Sequence, residues 1–203
     1  MDIKLNFINN SNDVNNSQIV IFQKNIAGPN APAVAWKVIQ NCGQGSNHPF
    51  VFPSALSVNV IDSHGNHTAP QPAETGMMFM IKLGPSGHVL APEGGAPDRE
   101  VHVANGLERG AITANLYKGG KLLASQPWVY PQQRSAFRFD PTLWVGAVSQ
   151  IEEGAEMNQA ILDSITTPFP VLGMVSADIV MSGGGPGTEA MPLTFELANI
   201  IRG

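Results

Sequence analysis

Apolar and polar residues alternate with a period of two in "IKLNF", "QIVIF", "AVAWKVI", "ALSVNVI", "EVHVA", "AITANLY", "AFRF", "TLWVGAV" and "LTFELA". Gly, Pro, Asn or Asp bounds each stretch, so each reads as a short strand with one face toward a core and one toward water. One segment departs from this rhythm. Residues 152–165, "EEGAEMNQAILDSI", place Met157, Ala160, Ile161 and Ile165 near one face with acids in the first turn, which predicts one short helix.

The alternation also repeats over a longer distance. Phe50, Phe52, Leu56 and Val58 correspond to Phe137, Phe139, Leu143 and Val145, every pair 87 positions apart, and a proline follows each Phe-x-Phe. Upstream, "IFQK" at 21–24 answers "LYKG" at 116–119. Downstream, "MFM" at 78–80 before "GPSG" answers "IVM" at 179–181 before "GPG". A third phrase occurs three times, as Leu5-x-Phe7-x-Asn9, Val101-x-Val103-x-Asn105 and Phe195-x-Leu197-x-Asn199. Matches in residue type, spacing and order together indicate an internal duplication.

The expected fold is therefore all-β: an internally duplicated β-sandwich of two tandem or fused antiparallel units, with the helix near 152–165. Residues 1–97 form the first unit and 98–203 the second, and the strand at 99–105 is placed to serve both. Proline cannot donate to a central ladder, so each Phe-x-Phe strand is expected to end at a proline corner and restart on the facing sheet.

Composition supports many strands and many turns. The 203 residues include 21 Gly and 16 Pro, 43% are hydrophobic and only 13% are charged. The net charge of −5 and the scattered bases leave no footprint for a nucleic acid backbone. Lys4, Lys24, Lys37 and Lys82 are the only bases in the first 97 residues. A surface so weakly charged opposes self-association only weakly. The single cysteine, Cys42, excludes an internal disulfide and any multi-cysteine metal site, and reads as a small hydrophobe. The N-terminal segment carries no apolar run of the secretory kind, and no stretch has the apolar length of a transmembrane helix. The expected location is cytoplasmic, or outside the cell by a route that needs no cleavable signal.

Candidate chemistry is sparse. "DSHGNH" sets Asp62, His64 and His67 around a Gly-Asn turn, a spacing that could hold a divalent transition metal but equally describes a polar hairpin. "GQGSNH" and "GPSGH" lack the strand-to-helix elbow of a nucleophilic serine, and "SGGGPG" lacks the lysine and helix of a phosphate loop. Glu152, Glu153 and Glu156 read as the first turn of the helix. Trp128 and Tyr130 in "QPWVYPQQ" stand two apart beside prolines and form a candidate ligand-binding platform for a sugar, whereas Trp36 and Trp144 lie within alternating strands as core. "TGMMFMIKLG" is apolar on both faces, which favours a central, doubly covered strand over a membrane contact.

These features favour a non-enzymatic sandwich with no cofactor, acting by self-association or by binding a protein partner. Two other readings stay open. One is a carbohydrate-binding or membrane-active, toxin-like module resting on Trp128, Tyr130 and the methionine-rich strand. The other is a metal-dependent enzyme built on the His64/His67 turn.

Overall fold

The computed structural model describes residues 1–28 and 32–203. Its strands are β1 (Ile3–Asn9), β2 (Gln18–Phe22), β3 (Lys37–Ile39), β4 (Asn47–Phe52), β5 (Leu56–Ile61), β6 (Gln71–Ala73), β7 (Met77–Gly84) and β8 (Gly87–Gly95). They continue as β9 (Glu100–Asn105), β10 (Ile112–Lys118), β11 (Lys121–Val129), β12 (Arg134–Arg138), β13 (Thr142–Val148), β14 (Pro168–Pro170), β15 (Met174–Gly184) and β16 (Met191–Arg202). One helix, α1 (Gln159–Ser164), lies between β13 and β14.

The strands form four sheets of four: β16-β15-β1-β4, β14-β13-β2-β3, β11-β10-β5-β6 and β12-β9-β7-β8. The chain divides into two compact sandwiches. A terminal unit holds Met1–Gln23, Ala35–Ser54 and Pro141–Gly203, and an inner unit holds Lys24–Val34 and Ala55–Asp140. The terminal unit thus contains the first two sheets and the inner unit the last two. Leu5, Phe7, Ile19, Ile21, Trp36, Val145 and Ile179 are buried in the terminal unit, as are Val58, Val60, Phe79, Ile81, Val103, Leu116 and Phe137 in the inner unit. Each such side chain stabilises its unit by roughly 1.5–3 kcal/mol relative to leaving it in water.

Pairing shows what was duplicated. β1 runs parallel to β15 and antiparallel to β4, while β9 runs parallel to β7 and antiparallel to β12. Each of β15 and β7 then carries an antiparallel hairpin partner, β16 or β8. In the other two sheets β13 lies between β14 and β2, and β5 lies between β6 and β10. Strands β1–β8 are therefore matched in chain order by β9–β16, and the two repeats are the two halves of the sequence. Each sandwich, however, takes the first four strands of one repeat and the last four of the other. The duplicated proline phrase is the place where this exchange happens: β4 passes through Pro53 into β5 of the inner unit, and β12 passes through Pro141 into β13 of the terminal unit.

Several expectations change accordingly. The chain passes between the two units at 23/24 and 34/35 as well as at the proline crossings, 54/55 and 140/141, and each proline corner leads to the other unit, not to the facing sheet of its own. Parallel pairs β1–β15 and β7–β9 interrupt the antiparallel pattern. Phe79 matches Ile179 rather than Val180, because Phe79 pairs with Val103 as Ile179 pairs with Phe7. Of the three Asn-ending phrases, β1 and β9 are equivalent, but β16 is an edge strand that answers β8. The helix is shorter than 152–165: Gly154 turns at φ 87°, and Asn158 caps α1 by accepting the Ile161 N–H at 2.9 Å. The methionine-rich strand, β7, is central in its sheet, with Phe79 and Ile81 buried.

The repeats differ mainly in connections. β10 and β11 join through Gly119 and Gly120, both at positive φ as a tight hairpin turn requires. The matching link between β2 and β3 makes a long excursion, and its Asn25 and Ile26 bond the edge of β12 through Ala136 and Arg138. In return, the β13–β14 link carries α1, and Ile165 occupies the space where any side chain at Gly146 would go.

Candidate functional site

Two places in the inner unit gather the residues that the sequence singles out. The first is the corner after β11. Asn105 at the end of β9 is buried, donates to the Gly110 and Val129 carbonyls at 2.9 and 2.8 Å, and accepts the Leu107 N–H at 3.0 Å. Asn9 at the end of β1 does the same work in the terminal unit, donating to the Cys42 carbonyl at 2.7 Å and accepting the Ser11 N–H at 2.9 Å. A buried amide with its bonds made costs little, and one deprived of them costs about 1–3 kcal/mol, so this corner is tightly specified in both repeats. Cys42 accordingly stands where the other repeat has the buried Val129, and burial pushes its thiol up, away from the reactive thiolate.

Between Ala114–Gln126 and Ile112–Val129 the β10–β11 register slips, because one residue on β10, Thr113, faces two on β11, Pro127 and Trp128. This is a β-bulge, and such bulges re-aim side chains. Trp128 sits in it at φ 60°, in the left-handed region, with 71% of its surface exposed. Tyr130, 53% exposed, follows the buried Val129 and opens the turn Tyr130–Gln133, in which the Gln133 N–H donates to the Tyr130 carbonyl at 2.9 Å. Gln132 occupies the third position at φ 66°. The two aromatics flank the buried Val129 in the chain and both are exposed, so both expected platform residues are at one corner.

The second place is the turn after β5. Asp62 is buried, and its two oxygens accept from the His64 and Asn66 backbone N–H groups at 2.8 and 2.9 Å and from the Asn66 amide at 3.0 Å. Its Oδ2 also lies 2.8 Å from His88 Nδ1. Burial alone would raise the carboxyl, but the bonds from Asn66, His64 and His88 outweigh it and hold Asp62 well below the ordinary carboxylate range. An ionised Asp62 only accepts, so Nδ1 of His88 carries the proton. His64 and His67 are exposed on the rim of a cleft of about 500 Å³ that Thr68, Ser86 and His88 also line.

The expected metal set does not assemble. Among the described residues no three His, Cys, Asp or Glu side chains converge as a metal site, and the Asp62 oxygens are engaged by the turn and by His88. His88 is the residue that spacing missed, since the β7–β8 hairpin rather than the local turn brings it in. The pair is peculiar to one unit: strand pairing puts Ser149 at the position of Asp62 and Leu193 at that of His88. There the matching cleft, about 590 Å³, is lined by Val148, Ser149, Leu193 and Phe195.

Among the described residues no helix is long and apolar enough to cross a membrane. No protein-family model, curated protein or solved structure matches the chain, which leaves the two repeats as each other's reference.

Proposed function

We propose that the protein is non-enzymatic and acts by associating with a second copy of itself. The observation that carries this reading is β16, an edge strand of twelve residues with no buried position and a neighbour, β15, on one side only. Met191 and Ile201 are more than half exposed on it. An edge of this kind offers a row of backbone donors and acceptors to another strand, and natural edges are usually blunted by charge, proline or a bulge. On the equivalent β8 such devices are grouped in its second half: Pro92, the Lys82–Glu93 ion pair at 2.6 Å, and Gly94 at a bulge. On β16 they bracket a free stretch instead, with Pro192 before it and the bulge residue Asn199 after it. Leu193–Ala198 carries one charge, Glu196, and suits antiparallel pairing with itself across a twofold axis.

Light scattering across a concentration series tests this. The expected result is a mass rising toward that of a dimer, and a return to the monomer in Thr194→Lys/Glu196→Lys, whose exposed new charges repel across the seam. A wild-type protein that stays monomeric throughout would remove the reading.

A further inference from the structure

Among the described residues, backbone positions that the fold holds at positive φ recur in equivalent pairs, and three pairs can be compared. The bulge on the outer hairpin strand uses Gly94 (φ 84°) in one repeat and Asn199 (φ 50°) in the other. The turn that leads into the proline phrase uses Gly45 (φ 76°) and Gln132 (φ 66°), with the N–H of each donating to the carbonyl of its buried asparagine, Asn9 or Asn105. The residue before Cys42 or Val129 is Asn41 (φ 55°) in one and Trp128 (φ 60°) in the other.

Glycine and asparagine enter the left-handed region at small cost, and a large side chain does not. Asn41 shows what the architecture needs at this point. Trp128 goes against that need and gains no burial in return, since its indole stands in solvent. A large side chain that bears this angle without burial in return marks a candidate functional position.

We propose that Trp128 and Tyr130 form the binding site for a neutral saccharide. A sugar ring has an apolar C–H face that covers an exposed aromatic, and a rim of hydroxyl groups that both donate and accept. Around the two rings, Ser125–Gln133 contains no charged residue. It does hold the exposed Gln132, whose amide supplies a donor and an acceptor, and Gln133, whose Oε1 accepts the Tyr130 N–H at 3.4 Å and whose NH2 group supplies donors. Trp128 lies on β11, an edge strand of the sheet β11-β10-β5-β6, and Tyr130 lies just beyond its end, so an extended chain of sugars can lie across them. The matching corner of the terminal unit presents Asn41 and Gly43 at these two positions and carries no such platform. The corner belongs to the inner unit and β16 to the terminal one.

The test uses the full-length protein on an array of neutral and anionic oligosaccharides, followed by titration of the best-retained neutral one while indole fluorescence is read. Wild type is expected to retain neutral glycans, with a shift in indole emission on titration. Trp128→Asn, which installs the residue of the other repeat, is expected to melt no lower than wild type and to bind at least tenfold more weakly. Retention of no glycan, retention of anionic glycans alone, or undiminished binding by a well-folded Trp128→Asn would each overturn the proposal. So would a Trp128→Asn protein whose only change is a lower mass in solution, because the aromatics would then be a contact between copies. Self-association through β16 stands or falls separately, on the Thr194→Lys/Glu196→Lys protein.

Discussion

The corner at Asn41–Ser46 and the corner at Trp128–Gln133 share a backbone and differ in what they display. Each is fastened by a buried asparagine that bonds the carbonyl of the strand beside it, Cys42 in one and Val129 in the other. Both follow a residue at positive φ and contain a turn with a second one. At the first corner the side chains at those angles, Asn41 and Gly45, are ones the angle tolerates. At the second they are Trp128 and Gln132. The comparison separates demands of the fold from demands of something else, and without the duplication Trp128 would pass for one more exposed aromatic.

The largest effect that can probe this equivalence lies in the core. Phe50 and Phe137 hold matching places, but Phe137 is 1% exposed whereas Phe50 is half-buried beside Trp36, ring centroids 6.5 Å apart. Phe137→Ala should cost about 3–5 kcal/mol. Phe50→Ala should cost on the order of 1–2 kcal/mol, since less of its ring leaves water. Denaturant unfolding of the two variants measures both, and equal losses would mean that the two edge strands are covered alike.

A smaller effect distinguishes the two clefts. The native carboxyl of Asp62 titrates well below its unfolded value of about 3.9, so its bonds contribute stability above that pH and lose it as pH falls toward the native value. Wild type should therefore lose more stability than Asp62→Asn as the pH falls from roughly 5 to 2. The Ser149→Ala protein, altered at the matching position, should follow wild type. Parallel curves for wild type and Asp62→Asn would show that the clasp is not what acid releases.

The smallest effect concerns the strained angle itself. Trp128→Asn should raise stability by roughly 1 kcal/mol, and Asn41→Trp should lower it by about 1–2 kcal/mol, part of it from the lost 2.8 Å bond that the Asn16 amide donates. Thermal melts of the pair sharpen the comparison. A destabilised Trp128→Asn would reveal packing of the indole that its exposure conceals.

Much of this was legible in the chain. Phe50, Phe52, Leu56 and Val58 announce their counterparts because strands facing a core must repeat size and spacing together, and IFQK against LYKG lies in the register that β2 and β10 adopt. The exchange of halves was not legible. Alternation tells a strand which face to bury, but nothing on either side of Pro53 or Pro141 names the sheet that the next strand will join; that choice is made by residues far along the chain. For the same reason Trp128 and Tyr130 could be picked out as surface aromatics while the angle at Trp128 could not, since the bulge exists only once β11 has paired with β10. Asp62 and His64 could be read from one turn, but His88 reaches them across a hairpin. The helix was overextended because acids and apolar spacing continue through Gly154, where the backbone turns away.

The reciprocal passage through the two prolines also sets a timetable for synthesis. Lys4 of β1 pairs with Ser176 of β15, so during synthesis β1 must wait for a partner 172 residues further along the chain. At roughly 5–20 residues per second that delay is about 10–35 s. All strands of the inner sandwich are present once β12 has been made, whereas β1 lacks its parallel partner until β15 follows.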